Sequence, residues 1–244
     1  WIADCEAASI AYLQTDSTLI YPCSVDNLDG FPIGGRIIKY SWDNLILWDY
    51  LIPEELGIAH HDIEVLNNGN ILVILLETKT YEDAINYGRT DIDGYFFSLD
   101  YIIELEPFGI DSANIIWEWH IWDHLIQDIN PNLENYGIIS ENPQLLDINL
   151  GLPATLADWN HLNSIHYNED LDQIAISARK QNEFYVIDHS TSTEEASGHL
   201  GGNYGKGGDF LYRWGNRENY DKVDFGQFLL NSQHSVSWIP ENHM

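Results

Sequence analysis

Short runs of apolar and β-branched residues recur along the chain, and polar residues that favour turns separate them. Residues 63–66 and 71–77 flank Asn67-Asn68-Gly69-Asn70, which is a strong hairpin signal because Asn and Gly tolerate positive φ. The other runs predict strands at residues 8–13, 18–21, 36–40, 46–50, 101–106, 115–121, 165–167, 174–177, 184–187, 210–214 and 236–239. Neighbouring runs are close enough to pair as hairpins.

Helical periodicity is sparse. Residues 81–87 and a stretch around 134–139 predict short helices, and Ser192–Glu195 is a capping box that opens one helical turn. Many short strands with few helices predict an all-β fold, which leaves a sandwich, a barrel or a propeller.

A weak internal repeat favours the propeller. His61, His161 and His234 each precede an apolar residue by four positions, and a turn follows soon after. The spacings are 100 and 73 residues, longer than one blade of about 40–50 residues, so unmarked blades or insertions lie between the repeats. Equivalent positions on different blades face the central channel of a propeller. The repeat therefore predicts that the three histidines meet.

Two other interpretations of the three histidines stay open. They could be a structural trace of duplication with no chemical role. Three imidazoles are also a common zinc set, but neither a cysteine nor an H-x-x-x-H pair that includes one of these three histidines supports a metal here. We therefore expect neither a metal nor a cofactor.

Composition and charge exclude several classes of function. The formal net charge is −29, with only ten basic residues, which excludes a nucleic-acid-binding protein that must displace counterions from phosphates. The longest apolar run, residues 71–76, is far too short to span a membrane. Hydrophobic residues make up 44% of the chain, enough for a core, and we expect a single domain over residues 1–244. Cys5 and Cys23 could form a disulfide in an oxidising compartment or remain two core thiols in a reducing one.

Several segments resemble the arylsulfate sulfotransferases, which are exported bacterial enzymes with a six-bladed β-propeller. Each is weak alone, but their order and spacing are specific from about residue 34 onward. They are His60-His61-Asp62 with Asn68-Gly69-Asn70, Trp117-Glu118-Trp119-His120 with residues 123–128, Asp158-Trp159-Asn160-His161-Leu162-Asn163, Ser177-Ala178-Arg179, residues 207–216, and Gln233-His234 with Trp238-Ile239-Pro240.

The resemblance implies transfer of a sulfuryl group from a phenolic sulfate ester to a phenol, through a sulfohistidine and without a nucleotide sulfate donor. By position, His234 matches the family's nucleophile, His161 and Asn163 match site residues, and Arg179 matches its arginine. His61 is the expected remaining histidine, in preference to His60, because His61 keeps the repeat register. The resemblance also implies a secreted or periplasmic location.

These residue types suit that chemistry. Neutral imidazole is a competent nucleophile near pH 7. The guanidinium of Arg179 and the amide of Asn163 offer donors to sulfonate oxygens. A second histidine can protonate the departing phenolate and deprotonate the incoming phenol, and either His161 or His61 could serve.

The chain supplies about four to five blades, so it is partial with respect to a six-bladed ring, which needs roughly two more blades of about 40–50 residues. Another copy of the chain or a partner chain could complete the ring, since open strand edges invite pairing. The alternative function is a non-catalytic, propeller-like binding or self-assembling module that keeps the fold without the chemistry.

Overall fold

The computed structural model describes residues 3–25, 34–90, 96–151, 158–221 and 229–239. Its described residues are mostly strands with short helices, which confirms the all-β prediction. They divide into two compact units, Trp1–Glu77 with Ile102–Glu118, and Thr78–Tyr101 with Trp119–Met244. The single domain over residues 1–244 stays a prediction. In the described ranges, no helix is long and apolar enough to cross a membrane.

The strands are β1 (Tyr12–Leu13), β2 (Leu19–Cys23), β3 (Arg36–Tyr40), β4 (Ile46–Leu51), β5 (Ile58–Val65), β6 (Ile71–Thr80), β7 (Phe96–Phe108), β8 (Ser112–His120), β9 (Leu125–Ile126), β10 (Leu146–Asp147), β11 (Leu162–Asn168), β12 (Gln173–Ala178), β13 (Glu183–Asp188) and β14 (Tyr212–Trp214). The α-helices are α1 (Tyr81–Asn86), α2 (Thr193–Ala196) and α3 (Glu218–Asp221), and 3₁₀ turns occupy Glu54–Leu56, Ile121–His124 and Ile139–Glu141.

Three sheets have four strands each, in the orders β1-β2-β3-β4, β5-β6-β7-β8 and β11-β12-β13-β14. The first and last are antiparallel throughout, so each strand pairs with its neighbour along the chain. A short parallel pair joins β9 to β10. β12 lies in the middle of its sheet and all of its residues are buried, as its apolar sequence predicts.

The first sheet carries the disulfide whose formation the sequence left open. Cys5 bonds to Cys23 at the end of β2, with their Cα atoms 5.7 Å apart. Cys23 also packs with Ile38 and Tyr40 in a buried cluster. The bridge therefore ties the start of the described chain to the core of this sheet.

Local sequence signals predict several elements correctly. Gly69 adopts φ 92° in the turn between β5 and β6, as the Asn-Gly hairpin signal requires. The predicted helix at residues 81–87 forms as α1, with a capping box at Thr80. Ser192 caps α2 through a second capping box.

Two predicted elements are wrong. Residues 134–139 are not a helix, because Gln127 holds this segment as a loop: its backbone N–H donates to Asn135 O at 3.1 Å and its carbonyl accepts from Gly137 N at 3.0 Å. Residues 236–239 are not a strand. The Val236 N–H donates instead to the Ser164 hydroxyl at 2.9 Å, which takes the place of a strand partner.

Candidate functional site

One hairpin assembles three of the predicted site residues. His161 precedes β11, Asn163 lies within it, and Arg179 follows β12, its antiparallel partner. The Arg179 backbone N–H donates to the His161 carbonyl at 3.1 Å. The ladder shifts register between Leu162 and Ser164. The β11–β12 end therefore brings His161, Asn163 and Arg179 together.

His161 has a left-handed backbone, with φ 57°. Such a conformation is uncommon outside glycine, and histidine is among the residues that tolerate it. Backbone strain of this kind and β-bulges both concentrate at functional sites. The conformation thus supports a functional interpretation of the residue.

A carboxylate holds the His161 ring. Asp158 Oδ2 lies 2.5 Å from His161 Nδ1, and Lys180 Nζ lies 3.1 Å from the same oxygen. Burial would raise the pKa of Asp158, but the hydrogen bond and charge of His161, together with Lys180, outweigh it and lower the pKa to about 2. Asp158 is therefore ionised at neutral pH. It orients the imidazole and stabilises positive charge on it.

The segment that leads to His234 is anchored beside Asn163. The Asn163 side-chain amide donates to the Gln233 carbonyl at 2.7 Å. The Gln233 side-chain amide donates to Glu183 O at 2.7 Å and to Ala178 O at 3.1 Å. The residue that precedes the predicted nucleophile is consequently fixed against β11, β12 and β13.

His234 itself is exposed and lies outside any strand. Its Nδ1 is 3.1 Å from the Ser232 carbonyl oxygen. A carbonyl only accepts hydrogen bonds, so Nδ1 carries the proton in this contact and Nε2 carries the lone pair. Nε2 is the nitrogen that can attack an electrophile.

His61 belongs to the other compact unit, in β5. It has φ 58°, close to the value at His161, and the ladder between β5 and β6 shifts register between Ala59 and Ile63. Both histidines have a left-handed backbone, His61 within the first strand of its sheet and His161 directly before the first strand of another, and a register shift lies close to each, which supports the sequence repeat. The Nδ1 atoms of His60 and His61 are 2.7 Å apart, so one ring donates while the other accepts.

Buried polar groups surround His161. Asn160 is fully buried, and both polar atoms of its side chain lack a hydrogen-bond partner among the described residues. The same holds for Asn163 Oδ1, Asp158 Oδ1 and Gln233 Oε1. Buried polar atoms are normally satisfied by water or ligand when protein does not satisfy them. This part of the fold can thus bind a polar group.

Sequence reasoning did not assign roles to Asp158, Asn160, Lys180 or Gln233. The spacing Asp-x-x-His at 158 and 161 is the signal that could have identified the carboxylate partner. No comparable spacing pattern identifies the role of Gln233, because its side-chain amide donates to backbone carbonyls that are distant in sequence.

An apolar cavity of about 720 Å³ lies on the β12–β14 face. Phe184, Tyr212 and Trp238 are among its lining residues. None of the described residues that line it is a predicted site residue. The cavity is therefore a feature separate from the hairpin end that holds His161.

Of three comparisons with known proteins, the one with family models agrees with the motifs. No curated protein sequence matches the chain. A solved structure described as Kuenenia stuttgartiensis hydrazine synthase is similar at 11% identity with a TM-score of 0.41, covering 84% of this chain and 48% of that chain. The chain thus spans about half the length of that protein. The family model Arylsulfotransferase (ASST) matches residues 37–243. The chain accordingly belongs to the arylsulfotransferase family.

Proposed function

We propose that the protein takes part in sulfuryl transfer from an aryl sulfate ester to a phenolic acceptor, without a nucleotide sulfate donor. Family membership over residues 37–243 supports the reaction class. The observation that carries the proposal is the pair of buried His161 and half-buried Asp158, which shares a hairpin end with Asn163 and Arg179.

His234 is the proposed nucleophile. Its Nε2 lone pair forms a bond to the sulfur of the donor ester, and the bond between sulfur and the aryl oxygen breaks, with its electron pair leaving on the phenolate. The hydrogen bond from Nδ1 to the Ser232 carbonyl stabilises the charge that the sulfated ring acquires. The product of this half-reaction is a sulfohistidine.

His161 is the proposed acid and base. As an imidazolium it gives its proton to the departing phenolate, and as a neutral ring it then takes the proton of the incoming phenol. That phenol oxygen bonds to sulfur, and the bond between sulfur and His234 returns its electrons to Nε2. The sequence left His61 as an equal candidate; the Asp158 carboxylate on Nδ1 favours His161.

Arg179 and Asn163 are proposed to stabilise the sulfuryl oxygens. Sulfuryl transfer resembles phosphoryl transfer in having a loose transition state with charge on the equatorial oxygens. A guanidinium fork matches such oxygens, and so does the second N–H of the Asn163 amide, whose other N–H donates to the Gln233 carbonyl. His61 is proposed as the remaining site residue, as the family pattern implies.

The propeller is part of the same proposal. Four-stranded sheets whose strands follow chain order are the blades of that architecture, and three such sheets are described here. Because the family's ring has six blades, a second copy or a partner chain is a proposed means of closing it. The Cys5–Cys23 disulfide supports a secreted or periplasmic location, since such bonds persist in oxidising compartments.

The test measures nitrophenol release from p-nitrophenyl sulfate with phenol as acceptor. His234→Ala should abolish turnover. His161→Asn should lower it by at least about 100-fold, and Asn is chosen because it tolerates the positive φ at this position. The loss for His161→Asn should shrink with donors whose phenol is a stronger acid, because their phenolate needs no proton to leave.

His189→Asn is the matched control. His189 also pairs with a carboxylate, since its Nδ1 lies 2.8 Å from Asp172 Oδ1, and it belongs to the same unit. It should keep wild-type turnover. A wild-type protein without turnover, or full turnover by the folded His234→Ala variant, would reject the proposed reaction and favour the binding or assembly module.

A further inference from the structure

A second histidine cluster lies outside the proposed sulfuryl-transfer site. His124 Nδ1 and His199 Nδ1 lie 2.9 Å and 2.7 Å from the same oxygen of Asp209, Oδ1. The potential ligand atoms of the three side chains all lie within 4.8 Å of one another. The proposed reaction does not use these groups.

The orientation of the His124 ring shows which of its atoms faces the cluster as an acceptor. His124 is fully buried, and its Nε2 lies 2.9 Å from the Ala196 carbonyl oxygen. A carbonyl only accepts, so Nε2 carries a proton. Nδ1 is the ring atom that faces Asp209 Oδ1, at 2.9 Å, and a cation placed between these two atoms would interact favourably with both.

Metal-binding histidines use the same arrangement. A ligating imidazole almost always donates its other N–H to a carbonyl or carboxylate, which fixes the tautomer and the ring. Trp119 adds a second constraint on His124, stacking on it with centroids 5.6 Å apart and planes 8° apart. Ala196 and Trp119 thus hold the Nδ1 atom toward Asp209 and His199.

The loop that carries Asp209 lies very close to His124. A Cβ atom at Gly208 would lie 2.6 Å from His124 Nε2 and 2.0 Å from the Ala196 carbonyl oxygen, so only glycine fits there. The Gly208 carbonyl also accepts from Trp119 Nε1 at 2.7 Å. This close fit at Gly208 positions the carboxylate of the next residue, Asp209.

We propose that His124, His199 and Asp209 bind a zinc ion. Two imidazoles and one carboxylate with a water in the fourth position are a common zinc set. The His199 side chain is 58% exposed, which gives that water access from solvent. Bond lengths of about 2.0–2.1 Å separate tetrahedral ligands by about 3.3 Å, so the ligands need to move apart by roughly 0.5 Å. The exposed His199 can make that movement on its side, whereas the His124–Asp209 contact joins two buried side chains, so the Asp209 carboxylate has to rotate away from the fixed His124 ring.

This site differs from the zinc set considered for His61, His161 and His234, and it departs from the expectation that the chain holds no metal. Three protein ligands and a water are the set of open zinc sites, but no step of the proposed sulfuryl transfer uses this ion, so the effect proposed for it is on stability. Zinc would link the turn Ile121–His124, in which His124 lies, to the loop between α2 and β14. Binding should therefore stabilise the fold whether or not the protein transfers sulfuryl groups.

The experiment titrates the metal-stripped protein with Zn²⁺ and with Co²⁺, following bound metal by elemental analysis, Co²⁺ coordination by its visible absorption, and melting temperature. Wild type should bind one equivalent with tetrahedral Co²⁺ absorption and a higher melting temperature. His199→Ala and Asp209→Asn should each weaken binding at least about 100-fold, because loss of a ligand exceeds the 10–100-fold effect of losing an outer partner. His199 is exposed, so its substitution leaves the core intact.

His189→Asn is the control here too, because His189 pairs with Asp172 but, among the described residues, belongs to no group of three potential metal ligands. It should bind zinc like wild type. A wild type that takes up no equivalent would overturn the proposal and leave a protonated His124 as the explanation of the contact. Unchanged affinity in either folded ligand variant would overturn it as well.

Discussion

Replacing Arg213 by methionine should destabilise the protein strongly, because it removes the partner of a buried charge. Arg213 Nη2 lies 2.5 Å from Glu183 Oε2, and the two side chains are 4% and 0% exposed. Arg213 Nη1 donates to the Leu145 carbonyl at 2.8 Å. The guanidinium also lies 4.6 Å from the centroid of the Tyr220 ring. Burial raises the pKa of Glu183 and Arg213 opposes that rise, so the variant leaves a buried carboxyl group without its positively charged partner, although the Tyr185 hydroxyl still donates to it.

Breaking a buried ion pair from one side costs about 3–5 kcal/mol. We therefore expect Arg213→Met to lower the free energy of unfolding by about 4 kcal/mol. With a urea m-value of about 2–3 kcal/mol/M, the unfolding midpoint should fall by roughly 1.3–2 M. Equilibrium urea unfolding, followed by tryptophan fluorescence and by far-UV circular dichroism, measures this shift.

Arg36 supplies the matched control. Its guanidinium donates to both oxygens of Asp49 at 2.7 Å and 2.6 Å, but these side chains are about 30% exposed. Arg36→Met should cost no more than about 1 kcal/mol. The double variant Arg213→Met with Glu183→Met should recover most of the loss, because neither charge then remains. Equal costs at Arg213 and Arg36, or a double variant as unstable as the two single losses added, would refute the reasoning.

Three further outcomes are expected. Asp158→Asn should lower the free energy of unfolding by about 2 kcal/mol at pH 7. Because the pKa of Asp158 falls from 3.8 to about 2 on folding, acid titrations of stability should show this difference vanish as pH drops from about 4 to about 2, and a difference that persists at pH 2 would contradict the assignment. Cys5→Ser should cost about 3 kcal/mol, or about 10 °C in melting temperature, and reductant should have the same effect on wild type but none on the variant. Arg179→Lys should lower kcat for aryl sulfate turnover by about 100-fold with an unchanged melting temperature, since an ammonium cannot replace the guanidinium fork; a kcat near wild type would exclude Arg179 from the site.

Local signals explain why much of the fold was predictable. Strand β3 matches its predicted bounds because apolar residues there lie between clear turns, and Gly69 marks its hairpin because few residues adopt its φ. Residues 236–239 have the same apolar character, yet a side chain, the Ser164 hydroxyl, satisfies the Val236 N–H. A contact between positions so far apart in sequence leaves no trace in local periodicity.

For the candidate site, too, the sequence predicts some features and not others. Family motifs singled out His161, Asn163 and Arg179, and strand pairing brings them to one hairpin end. The contacts that define their chemistry came only with the structure. Asp158 lies on the segment before β11, and Gln233 reaches three backbone and side-chain groups on neighbouring strands. Side-chain geometry of this kind is not encoded in spacing alone.

The covalent intermediate tests the central claim most directly. The protein is mixed with p-nitrophenyl sulfate without acceptor, quenched at alkaline pH, and analysed by intact mass and peptide mapping. We predict a gain of about 80 Da located on His234, lost when phenol is added before quenching, and absent in His234→Ala. Nitrophenol release with no mass gain on His234, or the same gain on another residue, would contradict the account.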